Sequence, residues 1–230
     1  ATAAASSAAA PRGAVGNGSA ASARGIAGTQ REVILSKAMS RVLRHTASSM
    51  GLQVRADGFC VAEELLALRD FRAQGCTVEE LRQIVESNSK RRFELREEAG
   101  VLLVRALQGH SLQQVEDEAL LKRLSPDDAN LPKICVHGTY RRHVDSIRQK
   151  GLLADGKGTG WRKHVHFAPH EPGSKQVISG MRGDCEVAVY VDLRTALRDG
   201  VPFFVSANDV ILSPGVDGAV HPRYLTFRDL

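Results

Sequence analysis

The sequence predicts an α+β chain of two lobes, and three features carry that expectation. Apolar residues recur at helical spacing in three stretches before residue 90, and two strand-length runs follow them. A charged connection containing Pro and Asp spans about 111–132. Beyond it, short β-rich runs alternate with helical ones. The chain divides accordingly into a tail (1–30), a first lobe (31–110), a linker (111–132) and a second lobe (133–230).

The tail is rich in Ala, Ser and Gly, carries Arg12 and Arg24, and has no acidic residue. Such a segment buries too little apolar surface to offset the entropy of ordering, so a disordered tail is expected. An organelle transit peptide has the same Arg- and Ser-rich, acid-poor composition and is the second reading. Apolar periodicity begins near Val33. Leu35, Met39, Val42, Leu43 and Thr46 fall on one helical face, with Ser36 or the polar run before it as the cap and Gly51 as the stop. Arg44 lies opposite that stripe and His45 flanks it.

Ala56-Asp57-Gly58 reads as a turn, Val61 to Leu68 as a second helix, and Thr77 to Ser87 as a third with Thr77 and Glu80 in capping-box spacing. Arg92 to Leu95 and Val101 to Ala106 are strands joined by a turn at 97–100. Three helices followed by a hairpin match a winged-helix module, a class that often touches nucleic acid.

In the second half, strands are expected at Ile134–His137, His164–Ala168, Glu186–Asp192, Phe203–Ser206 and Val210–Leu212. Helices are expected at Arg141–Lys150, closed by Gly151, and at Leu193–Asp199.

With 43% hydrophobic and 5% aromatic residues, the core must be mostly aliphatic. A net charge of +5 suits a nucleic-acid or nucleotide partner. Cys60, Cys76, Cys135 and Cys185 form no C-x-x-C unit, so no structural zinc is expected. Scattered cysteines point to a reduced intracellular compartment, nucleus or cytoplasm, or an organelle if the tail is a targeting signal. No apolar run reaches the length of a membrane span, and a monomer is expected.

Several familiar chemistries are excluded. Gly156-Lys157-Gly158-Thr159-Gly160 does not match the phosphate-loop pattern, and there is no G-x-S-x-G elbow. His164 and His166 share a strand face but lack a third ligand, so no metal is expected. What remains are basic and polar clusters. Arg44-His45, taken alone, fits a solvated helix face. In Lys90-Arg91-Arg92-Phe93 the strand alternation aims Lys90 or Arg92. Arg105, Gln108, His110 and Ser111 surround Gly109, all able to bind phosphate oxygens. Lys90, Arg105 and His110 are therefore candidates for an RNA phosphate. His137-Gly138-Thr139 places a ring, bare backbone and a hydroxyl at a strand end, parts suited to a ribose or pyrophosphate.

Together and in this order, the clusters resemble the tRNA 2′-phosphotransferase family. The likeness runs from about Leu35 to Tyr224. It rests on Leu35-Ser36-Lys37-Ala38, Leu43-Arg44-His45, Ala56-Asp57-Gly58-Phe59, Arg92-Phe93, Arg105-Ala106 with Gln108-Gly109-His110-Ser111, and His137-Gly138-Thr139. It continues through Arg162-x-His164-Val165-His166, Ser179-Gly180-Met181-Arg182, Phe203-x-x-Ser206-x-Asn208 and Val210-Ile211-Leu212. Two departures stand out: Leu107 occupies a position where the family usually has asparagine, and the 151–161 loop is longer and richer in glycine.

The resemblance implies a winged-helix, RNA-binding lobe followed by an ADP-ribosyltransferase-like, NAD-binding lobe. It also implies a two-step reaction that consumes NAD. The internal 2′-phosphate of a spliced tRNA or other RNA displaces nicotinamide, giving a 2′-phospho-ADP-ribosylated RNA. The ribose 2″-hydroxyl then attacks phosphorus, leaving a 2′-OH on the RNA and ADP-ribose 1″,2″-cyclic phosphate.

The family's Arg-His-Arg-Arg tetrad carries over onto Arg44, His45, Arg92 and Arg162. His137, Gly138, Thr139, His166, Ser179, Gly180, Arg182 and Ser206 are implied NAD contacts. The chemistry suits these residue types. A phosphate monoester is close to a dianion at neutral pH and needs gathering and aiming rather than deprotonation. Guanidinium forks do both. His45 either hydrogen-bonds the reacting hydroxyl or passes its proton. Two other functions would use the same parts: an ADP-ribosyltransferase capping phosphorylated nucleic-acid ends, and a non-catalytic RNA-binding module.

Overall fold

The computed structural model describes residues 18–155 and 162–230, with side chains from Gln30 onward. The fold is mixed α and β, with several small antiparallel sheets. Its buried hydrophobic residues sort into two main clusters, one running from Leu35 to Val115 and the other from Leu124 to Tyr224.

Helix α1 (Gly18–Arg41) starts well before Val33. The expected disordered tail is therefore helical from residue 18 on, and residues 1–17 lie outside the described part. Alanine is the strongest helix former, and its density here extends the helix backward from the amphipathic stretch. The predicted apolar face is the one that packs: Leu35, Met39, Val42 and Leu43 are buried. The helix then widens into a π turn over Val42–Thr46, closed by Ala47 N–H on Val42 O at 2.9 Å, and a 3-10 turn ends at Gly51.

Strand β1 (Cys60–Val61) leads into α2 (Ala62–Ala67), α3 (Arg69–Arg72) and α4 (Val78–Ser87). Thr77 caps α4 by accepting Glu80 N–H, as its spacing predicts. The amphipathic α4 buries Leu81 and Ile84, and Arg31 ties α1 to it through Glu80. Strands β2 (Phe93–Glu98) and β3 (Val101–Ala106) form a hairpin whose turn, Ala99-Gly100, has positive φ at both residues, as a two-residue hairpin requires. β1 joins the far side of β3, making the order β1-β3-β2.

The 111–132 segment is structured. Leu112 and Val115 belong to the first core, and α5 (Asp117–Leu120) and β4 (Lys122–Arg123) follow. β4 is already an edge strand of the second half. There β5 (Val136–Thr139), α6 (Arg141–Lys150), β6 (Leu152–Leu153), β7 (Val165–Phe167), β8 (Val187–Val191), α7 (Leu193–Arg198), β9 (Phe204–Val205), β10 (Ile211–Ser213), β11 (Ala219–Val220) and β12 (Leu225–Asp229) build the remainder.

Two sheets matter most, β4-β9-β10-β7 and β12-β8-β5. Central β8, the strongest β run in the sequence, is buried at Val187, Ala188, Val189 and Val191. The sheets meet where Val136 and Ala168 exchange backbone hydrogen bonds of 3.0 and 2.8 Å, so β5 and β7 lie side by side there. No helix among the described residues is long and apolar enough to cross a membrane.

Candidate functional site

The π turn presents Arg44 and His45. A turn closed i→i+5 is wider than an α turn, so consecutive side chains diverge by less than the usual helical step. Two adjacent residues can then serve one cleft. The 107–111 segment closes over them. Ser111 N–H donates to Arg44 O at 2.9 Å, and Ser111 Oγ lies 3.0 Å from His45 Nδ1. Gly109, at positive φ, lies against the Arg44 stem: a Cβ there would sit 3.7 Å from Arg44 Cδ, Cζ and Nε. Arg44 Nε and Nη2 are buried without a hydrogen-bond partner among the described residues.

Arg92 comes from the base of the hairpin, where its N–H and Nη1 lie 3.2 and 3.5 Å from Asn88 Oδ1. Arg162 comes from the second half, just before β7, and is exposed. All three guanidiniums converge electrostatically. Burial, then the charges of Arg92 and Arg162, push Arg44 down to about 10. Burial, then Arg44 and Arg162, push His45 below its ordinary value, and burial lowers Arg92. A buried cation that is surrounded by cations and lacks hydrogen-bond partners is costly. It is what an anion-binding site looks like from the protein side.

The β5–β7 junction holds the next group. His137 Nδ1 donates to His166 O at 2.9 Å, and its ring stands edge-on to Phe167. His166 Nδ1 lies 3.2 Å from His164 O, and its Nε2 lies 2.8 Å from Gln108 Oε1 in the first half. Burial, then Arg162, His164 and Arg44, drives the His166 ring from an ordinary 6.5 to about 3, so it is neutral near pH 7. His137 is lowered by burial, with Arg162 and Arg182 contributing. Gly138 donates to Gly180 O at 2.8 Å, and a Cβ on it would reach Cys185 Sγ at 2.6 Å. Its bareness thus serves the 180–185 loop that packs on it. Gly180 itself has φ +81°, and a Cβ there would strike the backbone of Phe167 and Ala168 at 2.7 Å. Thr139 is buried, Ser179 half-buried, and Arg182 exposed with Nη1 3.5 Å from Tyr140 Oη.

The model of the RNA 2′-phosphotransferase, Tpt1/KptA family matches residues 30–215. This chain belongs to that family. It is 46% identical over 199 residues to the tRNA 2′-phosphotransferase 1 of Danio rerio, a match covering 85% of this chain and 84% of that protein. The tRNA 2′-phosphotransferase 1 of Homo sapiens is 47% identical over 197 residues, covering 84% and 74%. The tRNA 2′-phosphotransferase of Saccharomyces cerevisiae is 34% identical over 191 residues, covering 81% and 80%. The family resemblance read from the sequence is thereby shown.

The remaining candidates from the sequence are placed as follows in the fold. Arg105 is a structural arginine. Its Nε and Nη2 bind Glu94 Oε2 at 2.9 and 2.6 Å, its Nη1 donates to Asp57 O at 2.9 Å, and it stacks 4.4 Å from the Phe59 ring centroid. Three of its five N–H donors are thus engaged within the fold, and its side chain is 10% exposed. Arg105→Met is expected to lower stability by about 2 kcal/mol by removing its hydrogen bonds to Asp57 O and to Glu94, which keeps Arg96 as a partner, while turnover of the folded fraction stays near that of the parent. Parallel melting and activity assays check this. Lys90 is exposed, and its carbonyl accepts from Asn208 Nδ2 at 3.2 Å. The Ser206 hydroxyl is committed inside its own turn, donating to Asn208 Oδ1 at 2.7 Å and accepting Val210 N–H at 3.1 Å. His110 is 4% exposed, with neither ring nitrogen partnered among the described residues.

Sequence reasoning missed the residues that join the halves. Lys163 Nζ donates to Leu112 O and Val115 O at 2.8 and 3.2 Å, and His164 Nε2 lies 2.8 Å from Asp117 Oδ2. His164 and His166 do share a strand face, and both look onto the 108–117 segment. Among the described residues no group of three His, Cys, Asp or Glu could hold a metal. The glycine-rich part of the 151–161 loop, 156–161, lies outside the described residues.

Proposed function

We propose that the chain is an NAD-dependent RNA 2′-phosphotransferase. It moves the internal 2′-phosphate of a spliced tRNA or similar RNA to NAD, through a 2′-phospho-ADP-ribosylated RNA. The products are RNA with a free 2′-OH, nicotinamide and ADP-ribose 1″,2″-cyclic phosphate. The observation that carries the reading is Arg44, whose Nε and Nη2 are buried and unpartnered within the described residues, beside the charges of Arg92 and Arg162. Family membership, and the printed names of the relatives as tRNA 2′-phosphotransferases, support it. In this reading the helices and hairpin act as a winged-helix lobe that receives RNA. The paired antiparallel sheets act as an ADP-ribosyltransferase-like lobe for the dinucleotide.

The residues present fit NAD as a substrate. Arg162 and Arg182 both act electrostatically on His137, a placement suited to a pyrophosphate. NAD supplies the ribose carbon that receives the phosphate, with nicotinamide as leaving group. Arg44, Arg92 and Arg162 grip the RNA 2′-phosphate dianion and hold it against the repulsion of the dinucleotide phosphates. The same forks stabilise charge that builds on phosphorus oxygens in the second step. His45, lowered and therefore neutral near pH 7, accepts a hydrogen bond from the attacking hydroxyl or takes its proton.

The test is incubation with NAD and an RNA bearing one internal 2′-phosphate. Loss of that phosphate with release of nicotinamide and a cyclic phosphate is expected. A stable ADP-ribosyl adduct would show a capping transferase instead, and salt-sensitive RNA binding without NAD affinity a binding module. Arg92→Ala and Arg162→Ala are each expected to cut turnover by about 100-fold or more. The Arg162 change should leave the melting temperature nearly unchanged, because that side chain is exposed.

A further inference from the structure

Two turns from opposite halves face each other beside Arg92. The first, Asn88 to Arg91, is closed by Arg91 N–H on Asn88 O at 2.7 Å, with Arg91 at φ +41°. The second, Ser206 to Asp209, is closed by Asp209 N–H on Ser206 O at 2.9 Å, with Asp209 at φ +63°. Two contacts join them. Arg91 Nη2 meets Asp209 Oδ2 at 2.7 Å, but those side chains are 60% and 65% exposed. A pair so solvated contributes little.

The other contact is of a different kind. Asn208 is 1% exposed and Ser206 2%. The Ser206 hydroxyl donates to Asn208 Oδ1, which turns the amide so that Nδ2 faces the Lys90 carbonyl. A buried amide with both ends satisfied has one orientation, and breaking it leaves polar atoms stranded. The carbonyl it holds lies two residues before Arg92, whose own carbonyl accepts the Leu107 N–H at 2.9 Å.

Resting on the function proposed above, we propose that Asn208, oriented by Ser206, is a positioning residue for Arg92. From the second half it pins the 88–91 turn, so that Arg92 is aimed only when the two halves are docked. The Ser206-x-Asn208 pair thus serves the phosphate grip and not the dinucleotide.

Hydrogen–deuterium exchange of Asn208→Ala, without substrates, tests the tether. The peptide spanning 88–93 should exchange faster than in the parent, and unchanged exchange overturns the proposal whatever the enzyme does. In turnover assays kcat should fall by about 10- to 100-fold, the scale of a small misplacement of a reacting group, while the KM for NAD stays put. A raised KM for NAD with kcat intact would return the pair to the dinucleotide site and overturn the proposal.

In an Arg92→Lys background the Asn208→Ala effect should largely vanish, and full additivity would count against the link. Asp209→Gly keeps the positive φ, removes only the exposed carboxylate, and should be nearly silent. If Asn208→Ala does not fold, Ser206→Ala carries the same measurements. A parent protein that transfers no phosphate would remove the proposed function, with the exchange result still deciding the tether.

Discussion

Arg44→Met is expected to abolish phosphate transfer and to raise the melting temperature together. Arg44 is held charged in a place that disfavours charge, as its depressed pKa of about 10 records. Below that value the folded protein carries a cation that would be better solvated in the unfolded chain, a penalty on the order of 3 kcal/mol. Methionine has similar volume and flexibility, so it fills the space against Gly109 without the charge. Relief of even half the penalty would raise the melting temperature by several degrees, at about 2–4 °C per kcal/mol for a chain of this size. Turnover should fall by at least about 100-fold, since a fork aimed at the phosphate is gone. A variant that melts lower and retains most activity would mean that Arg44 is an ordinary structural residue.

Stability should fall steeply between pH 6.5 and 5, before the carboxylates titrate. His110 and His166 are both pushed from 6.5 to about 3. Burial leads for each. Arg44, His45, Lys163 and Arg105 add to it at His110, while Arg162, His164 and Arg44 do so at His166. Above pH 6.5 both rings are neutral in the folded and unfolded chain, and their contribution is fully present. Below it the unfolded chain takes up protons that the folded one refuses. The loss approaches about 1.4 kcal/mol per pH unit for each ring, or roughly 4 kcal/mol for the two at pH 5. His45 and His137, also lowered, act in the same direction. The depressed carboxylates of Glu79, Glu80 and Glu98 lose their contribution only as pH falls through the acidic range below this window. Denaturant midpoints at pH 7.5 and 5.0 check this, and a flat or rising profile would show that the two rings are solvated.

The longer helices were legible because their signals are local and repeated, whereas the four-residue α3 and α5 were not. The apolar face of α1, the Thr77 cap of α4 and the bounds of α6 all read directly from spacing. Strands β1, β4, β6 and β11 were not, since two residues carry no periodicity, and the longer β12 at the end of the chain went unread as well. The π turn left no mark either: whether a helix closes at i+4 or i+5 depends on what packs against it. The site divides in the same way. Residue types alone left Arg44 on a solvated helix face and could not choose between Lys90 and Arg92, and the ordered family motifs singled out Arg44, Arg92 and Arg162. The ion pair of Arg105 went unread although its partner was within reach of the sequence. A two-residue turn at 99–100 forces Glu94 opposite Arg105, a charge pair across the hairpin. Ser206 was assigned by motif, and no sequence signal shows that its hydroxyl faces inward.

One feature limits how this molecule can be divided. Strand β4 lies before residue 124 yet forms the border of the sheet that also contains β9, β10 and β7. A fragment starting at residue 133 would lose it and bare the backbone amides and carbonyls of β9, a template for self-association. A fragment ending at residue 110 would lack Leu112 and Val115 from its own interior. Neither half is a portable module, and any swap of halves between relatives must carry the whole 111–124 strap with the piece it serves.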